Sequence, residues 1–107
     1  FLDSFPFNAG TTANDALWMG LPVLTRSGRA FASRMAGALL TAAGLPELIT
    51  TPLHDYEEKA VWLANNRADC QRMRAHLLAQ RQGGALFDTP RFVLELEKRL
   101  IDLAATA

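Results

Sequence analysis

The chain has 107 residues, half of them hydrophobic, with 11 Lys and Arg balanced by 11 Asp and Glu. That length suits one domain with a real core but is small for an enzyme that binds two substrates. Zero net charge excludes the global basic field that nucleic acid or an anionic membrane would reward, so neither is expected as a partner and any anion site must be local. A single cysteine, Cys70, with only His54 and His76 beside it, leaves no disulfide framework and no metal-ligand cluster, and favours a reducing, cytoplasmic setting. No apolar run approaches membrane-spanning length, and FLDSFPF has neither a basic leader nor an initiating Met, so Phe1 is read as a cut within a longer chain.

The first residues are aromatic, and Pro6 argues against one central strand, which predicts a short strand ending near Asp3 or Phe5. From Thr11, apolar residues Ala13, Ala16 and Leu17 fall at helical spacing, with Thr11 or Thr12 able to cap and Gly20 before Pro22 as the stop. Pro22 to Thr25 reads as a buried strand and Ser27-Gly28 as the turn after it. A second helix is predicted from about Ala30 to Ala43, rich in small residues and stopped by Gly44. Leu48 to Thr50 reads as a third short strand.

Thr51-Pro52 opens a long helical region in which Tyr56, Ala60, Leu63 and Ala64 share a face. Asn65-Asn66 interrupts it, and Asp69 to Gln82 resumes it until Gly83-Gly84, so two helices and one kinked helix fit equally. Thr89-Pro90 supplies a cap and first-turn proline for a last helix with Phe92, Leu96, Leu100 and Leu103 at helical spacing, expected to pack across the domain. Alternating strand and helix in the first half predict an α/β fold, a small parallel sheet with crossover and flanking helices. In such folds the loops at the carboxyl ends of the strands carry the polar chemistry, and residues 7 to 15 form one.

Within that loop, Gly10-Thr11-Thr12 stands at a helix start, where backbone N–H groups have no intrahelical acceptor and the helix dipole attracts anions. Gly10 permits unusual dihedrals and close approach, the threonines add hydroxyl donors, and Asp15 one turn on can accept from ribose hydroxyls. By residue type alone these positions are a weak signal for a ligand, and ordinary helix capping is the first reading of them. The signature is neither a Walker loop nor GxGxxG.

The string DSFPFNAGTTANDALWMGLPVLT, continuing through SGRAFASRMAGALLTAAGLPELI and later ALFDTPRFVLELE, resembles the carboxyl-terminal end of the O-linked N-acetylglucosamine transferase family, particularly its bacterial tetratricopeptide-linked members. The resemblance covers most of the chain, and its TTxxDxLWxGxPxxT core, Ser33-Arg34, LPELI and LFDT segments keep their order and similar spacing. It implies a GT-B arrangement of two Rossmann-like domains, with inverting transfer of a sugar from a UDP donor to Ser or Thr hydroxyls. Residues 1 to 107 would then be the carboxyl-terminal piece of the donor-binding domain, with the catalytic amino-terminal half and upstream repeats lying outside them.

The resemblance also implies roles by position. Thr11 and Thr12 would contact the diphosphate, Asp15 the ribose, and Phe7 would lie near the sugar, with Gly10 opening the helix. Animal members have a His where this chain has Gly10, so an imidazole contact is not carried over. The family's catalytic His and charge-offsetting Lys lie upstream of Phe1, so no catalytic residue is expected here and these residues alone should be inactive. No cofactor is implied, because the UDP-sugar is substrate; a protein acceptor and self-association of the isolated segment complete the expected partners.

Other chemistry-bearing residues have plainer readings. His54 and His76 stand in polar helical stretches and are read as solvated or capping. Cys70 has no neighbour motif to lower its pKa and is read as a part-buried small side chain. Arg26, Arg29 and Arg34 can face a phosphate, but Arg29 and Arg34 also suit the outer face of the second helix, and Ser33-Arg34 is expected to tether it. Trp18 and Trp62 are read as core or interface anchors. The alternative to a donor-binding segment is a non-catalytic interaction module that kept the fold and binds a partner through its Ala-rich or last helix.

Overall fold

The computed structural model describes residues 1–106. Its helices are α1 (Thr11–Trp18), α2 (Met35–Ala43), α3 (Leu53–Asn65), α4 (Arg67–Ala79) and α5 (Thr89–Thr106), with strands β1 (Thr25–Arg26) and β2 (Ile49–Thr50) between them. Short 3-10 turns lie at Phe31–Ser33, Pro46–Leu48 and Ala85–Phe87.

β1 and β2 pair in parallel, Thr25 opposite Ile49 and Arg26 opposite Thr50. One residue earlier, Leu24 turns its backbone to the start of the chain: its N–H donates to Phe1 O and its carbonyl accepts from Asp3 N–H, both at 2.9 Å. The first expected strand is thus reduced to one parallel bridge, Leu2 with Leu24. Successive residues of a strand direct their backbone groups to opposite sides, so the Val23–Arg26 run is the middle of three short parallel segments. The expected strand over Pro22 to Thr25 is displaced toward its carboxyl end, because its pairing is split between two partners.

Small residues bring the helices close to this narrow sheet. Ala13, Ala16 and Leu17 of α1, Leu40 and Ala43 of α2, and Met73 and Leu77 of α4 meet Val23, Leu45 and Leu48 in one buried core. Both expected stops hold: Gly20 and Gly44 have φ of 80° and 79°, the left-handed conformation that ends a helix without Cβ strain. Just before Gly20, Arg74 Nη1 of α4 donates to Met19 O at 3.1 Å and Arg81 Nε, from the turn after α4, to Trp18 O at 2.6 Å, so two arginines satisfy carbonyls left open at the end of α1.

The predicted helix from Ala30 begins later. Ser33 N–H donates to Ala30 O at 3.1 Å, closing a 3-10 turn that the Ser33 hydroxyl reinforces by donating to the same oxygen at 2.8 Å, and α2 proper starts at Met35. Asn66, with φ −127° and ψ 69°, separates α3 from α4, which decides for two helices. α5 is capped by Asp88, whose Oδ1 accepts from Arg91 N–H at 3.2 Å, while Thr89 lies inside the first turn.

α5 corrects the expectation that it packs across the domain. Every described residue from Thr89 to Thr106 is exposed, and the helix meets the rest of the chain at its base, against the Ala85–Phe87 turn. An 18-residue helix is about 27 Å long, and its projection lifts the radius of gyration to 15.1 Å, above the roughly 13 Å of a compact domain this size. The core is already closed by α1, α2 and α4, which leaves the stripe Phe92, Leu96, Leu100 and Leu103 largely solvated, with Phe92 bordering a hollow it shares with Met35, Leu39 and Leu86.

Candidate functional site

The loop from Ser4 to Gly10 leaves the carboxyl end of the first parallel segment and delivers the chain into α1. It is held from inside and from below. Ser4 Oγ donates to Phe7 O at 2.7 Å and Asn8 Nδ2 to Ser4 O at 2.9 Å, which folds the loop on itself. Asn8, 1% exposed, also ties it to the start of α2: Asn8 N–H donates to Ala32 O at 2.9 Å, and Asn8 Oδ1 accepts from Ala36 N–H at 3.3 Å.

The buried Asp3 is the other anchor. Its Oδ1 accepts from Ala9 N–H at 2.8 Å and its Oδ2 from the Thr25 hydroxyl at 2.7 Å. Tyr56 of α3 donates its hydroxyl to Asp3 O at 3.0 Å, and Thr50 of β2 donates to Thr25 O at 2.7 Å. Burial, and secondarily the Asp3 charge, raises the Tyr56 pKa above the ordinary phenol value. Neither Asp3 nor Asn8 stood among the sequence candidates. The available signal was a carboxylate and an amide flanking a Pro-containing loop directly after an apolar extended run.

The loop presents the sequence candidates at the surface. Phe7 is at its apex, 72% exposed. Gly10 is the N-cap of α1, followed by the exposed Thr11 and Thr12, and Asp15 is exposed one turn on. Among the described residues neither threonine hydroxyl has a hydrogen-bond partner, and no side chain caps the helix, so the expected capping by Thr11 or Thr12 is not realised. The first intrahelical bond is Asn14 N–H to Gly10 O at 3.0 Å, leaving the N–H groups of Thr11, Thr12 and Ala13 ahead of it without intrahelical acceptors.

Gly10 has φ −97°, so the unusual dihedral expected of a glycine is not a left-handed one. Its advantage is space, since a Cβ would stand 3.0 Å from Met35 Sδ. Gly10, Thr11 and Asn14 form one wall of a hollow of about 620 Å³ whose apolar wall includes Met35, Leu86 and Phe92. That size and mixture suit a small-molecule site. Phe7, Thr12 and Asp15 lie outside its lining.

The remaining candidates separate from this site. A larger hollow of about 820 Å³ follows α3 near His54 and Trp62, but its walls are largely successive faces of one helix, so polar groups do not converge there. His54 pairs with Glu58 at 3.1 Å on the surface, and Cys70 donates its thiol to Leu63 O at 3.2 Å. Arg26 and Arg29 line a third hollow with Phe5 and Pro6, where Arg26 Nε donates to Thr51 O at 3.0 Å. Arg34 is exposed, while Ser33 is buried and its hydroxyl bonds Ala30 O within the turn that precedes α2. Trp18 packs edge-on against Phe87, 4.9 Å between ring centroids, as an anchor. Among the described residues no three His, Cys, Asp or Glu side chains gather as a metal site, and no helix is long and apolar enough to cross a membrane.

Unoccupied amides at a helix start, placed at the carboxyl end of a parallel β–α unit, define the ligand-facing edge of a Rossmann-like piece. Residues 1–96 match glycosyl transferase family 41, and the chain belongs to that family. It is 43% identical over 98 residues to a probable UDP-N-acetylglucosamine–peptide N-acetylglucosaminyltransferase, SEC, of Arabidopsis thaliana, covering 91% of this chain and 10% of the relative. The corresponding Caenorhabditis elegans transferase is 34% identical over 99 residues, covering 92% and 9%. A mutant O-GlcNAc transferase of Thermobaculum terrenum superposes with a TM-score of 0.81 at 34% identity, over 92% of this chain and 19% of that one. The chain therefore spans about a tenth of the length of these curated relatives, and its fold is a partial Rossmann-like unit of the GT-B kind.

Proposed function

We propose that residues 1–107 are the carboxyl-terminal part of the donor-binding domain of a UDP-sugar-dependent protein O-glycosyltransferase, with UDP-N-acetylglucosamine as donor and Ser or Thr hydroxyls as acceptors. The observation that carries this reading is the open start of α1, where three backbone N–H groups and the Thr11 and Thr12 hydroxyls stand together without acceptors among the described residues. The names of the relatives support the donor and a polypeptide acceptor.

The chemistry assigned to these residues is binding and orientation. A diphosphate at the start of α1 meets the positive end of the helix dipole, the amides of Thr11 and Thr12, and two hydroxyls. Asp15, one turn further along, accepts from ribose hydroxyls, and Phe7 on the loop apex borders the sugar. Gly10 supplies an amide and no side chain, so diphosphate contact relies on backbone and hydroxyl donors. Holding the leaving diphosphate also stabilises the charge that develops on it as the glycosidic bond breaks. The groups that deprotonate the acceptor are assigned to the enzyme outside residues 1–107, because catalysis needs both substrates at near-attack geometry.

A test is Thr12→Val in the full-length enzyme. Loss of one hydroxyl contact to a charged oxygen, about 1.5 to 3 kcal/mol, should raise the donor KM roughly ten- to a hundredfold if the contact forms on binding. Unchanged donor kinetics would remove Thr12 from the site.

A second reading, a non-catalytic interaction module, is favoured by one observation: the solvated apolar stripe of α5, with Phe92 60%, Leu96 44%, Leu100 56% and Leu103 65% exposed. Under either reading that stripe requires cover, and in the isolated segment a second copy is the available one.

A further inference from the structure

We propose that Asp3 is a positioning residue for donor binding: its buried carboxylate fixes the loop that carries Phe7 to Thr12 against β1, and thereby sets where the start of α1 meets the ligand. The proposal rests on the donor-site reading above and adds to it a residue that does not itself touch the donor.

Three observations carry it. Asp3 is 3% exposed, yet both carboxylate oxygens are occupied, Oδ1 by Ala9 N–H at 2.8 Å and Oδ2 by the Thr25 hydroxyl at 2.7 Å. Charged side chains are seldom buried this deeply unless their lone pairs are satisfied, so the site is built around the carboxylate. Second, Asp3 is itself immobilised on two further sides, by Leu24 O through its backbone N–H at 2.9 Å and by the Tyr56 hydroxyl at 3.0 Å on its carbonyl. Third, the Ala9 amide that it holds immediately precedes Gly10, the N-cap of α1. The core-facing Ala13, Ala16 and Leu17 fix the far side of α1, and Asp3 fixes its point of departure.

The geometry separates variants that a general packing role would not. Asp3→Asn can present its carbonyl to Ala9 N–H and its amide to Thr25 Oγ, where the hydroxyl turns to accept. Asp3→Ala leaves the Ala9 amide and the Thr25 hydroxyl without their acceptor. Thr25→Val keeps side-chain volume and removes only the donor to Oδ2.

The experiment measures UDP affinity by calorimetry, and steady-state kinetics against donor and acceptor separately, in the full-length enzyme at a temperature where circular dichroism shows each variant folded. Asp3→Ala is expected to weaken UDP about tenfold and to raise donor KM with acceptor KM unchanged, Thr25→Val to weaken UDP about threefold, and Asp3→Asn to stay within about twofold of wild type. Folded Asp3→Ala with wild-type UDP affinity overturns the proposal, as does equal loss against donor and acceptor. If Asp3→Ala does not fold, Thr25→Val decides: wild-type affinity overturns the proposal, and weakened affinity with unchanged acceptor KM supports it. A wild-type enzyme that fails to bind UDP overturns the donor-site reading instead, and the proposal with it.

Discussion

His76 Nε2 lies 2.8 Å from the carbonyl oxygen of Ala43, so a side chain from α4 closes the end of α2. A carbonyl can only accept, which assigns the proton to Nε2. The neighbouring Gly44, at φ 79°, leaves the imidazole its room, since a Cβ there would stand 2.9 Å from Nε2. His76→Leu should cost about 1 kcal/mol through the lost hydrogen bond, a melting temperature lower by about 4 to 8 °C in a domain of this size. Thermal denaturation followed by circular dichroism checks this, and an unchanged midpoint would deny the contact a role.

What the sequence disclosed divides along the range of the interactions. α1 and the stops at Gly20 and Gly44 were legible because spacing and left-handed glycines are local signals. The strands were displaced because Leu24 pairs with Leu2 while Thr25 pairs with Ile49, a choice that depends on distant chain. The site divides in the same way. Gly10, Thr11 and Thr12 were legible as a helix start, whereas the anchors beneath them, Asp3 with Thr25 and Asn8 with Ala36, join residues 22 and 28 apart in sequence. The apolar face of α5 was evident in its spacing, but a pattern does not name the surface that covers it.

Tyr56 makes the fold sensitive to alkaline pH. Its pKa is raised above the phenol value of about 10, so the folded chain holds a proton that the unfolded chain releases. The stability from this difference is complete below about pH 10 and is lost as pH rises through the folded pKa. Tyr56 is the single tyrosine, so tyrosinate absorbance reports it alone. Its titration midpoint should fall on unfolding, and Tyr56→Phe should flatten the decline of stability above pH 10. A midpoint equal in folded and urea-unfolded protein would refute the coupling.

The isolated segment, residues 1–107, should self-associate through α5. Phe92, Leu96, Leu100 and Leu103 expose a continuous apolar stripe, and the polar residues of the helix carry both signs without a repelling block. Sedimentation velocity should show mass rising with concentration. Leu96→Glu with Leu100→Glu should return the monomer without loss of the core, because both positions are solvated in the monomer. Monomer at all concentrations in the unsubstituted segment would count against a second copy as cover.

The same segment should retain weak recognition of UDP, because the donors at the start of α1 are local to it. Three amides and two hydroxyls are held in place by α1 and by the Asp3 and Asn8 anchors, all within residues 1–107. A ligand solvated on its other side gains little from these contacts after losing its translational freedom, which limits affinity to about millimolar, roughly −4 kcal/mol. In an NMR titration UDP should shift the amides of residues 8 to 15, uridine should shift them less, and added salt should weaken the effect by screening the diphosphate. The ordering of the two ligands is the decisive readout. A response to uridine equal to that of UDP, or saturable shifts confined to another surface, would place the anion elsewhere and leave the threonines as exposed helix-start residues.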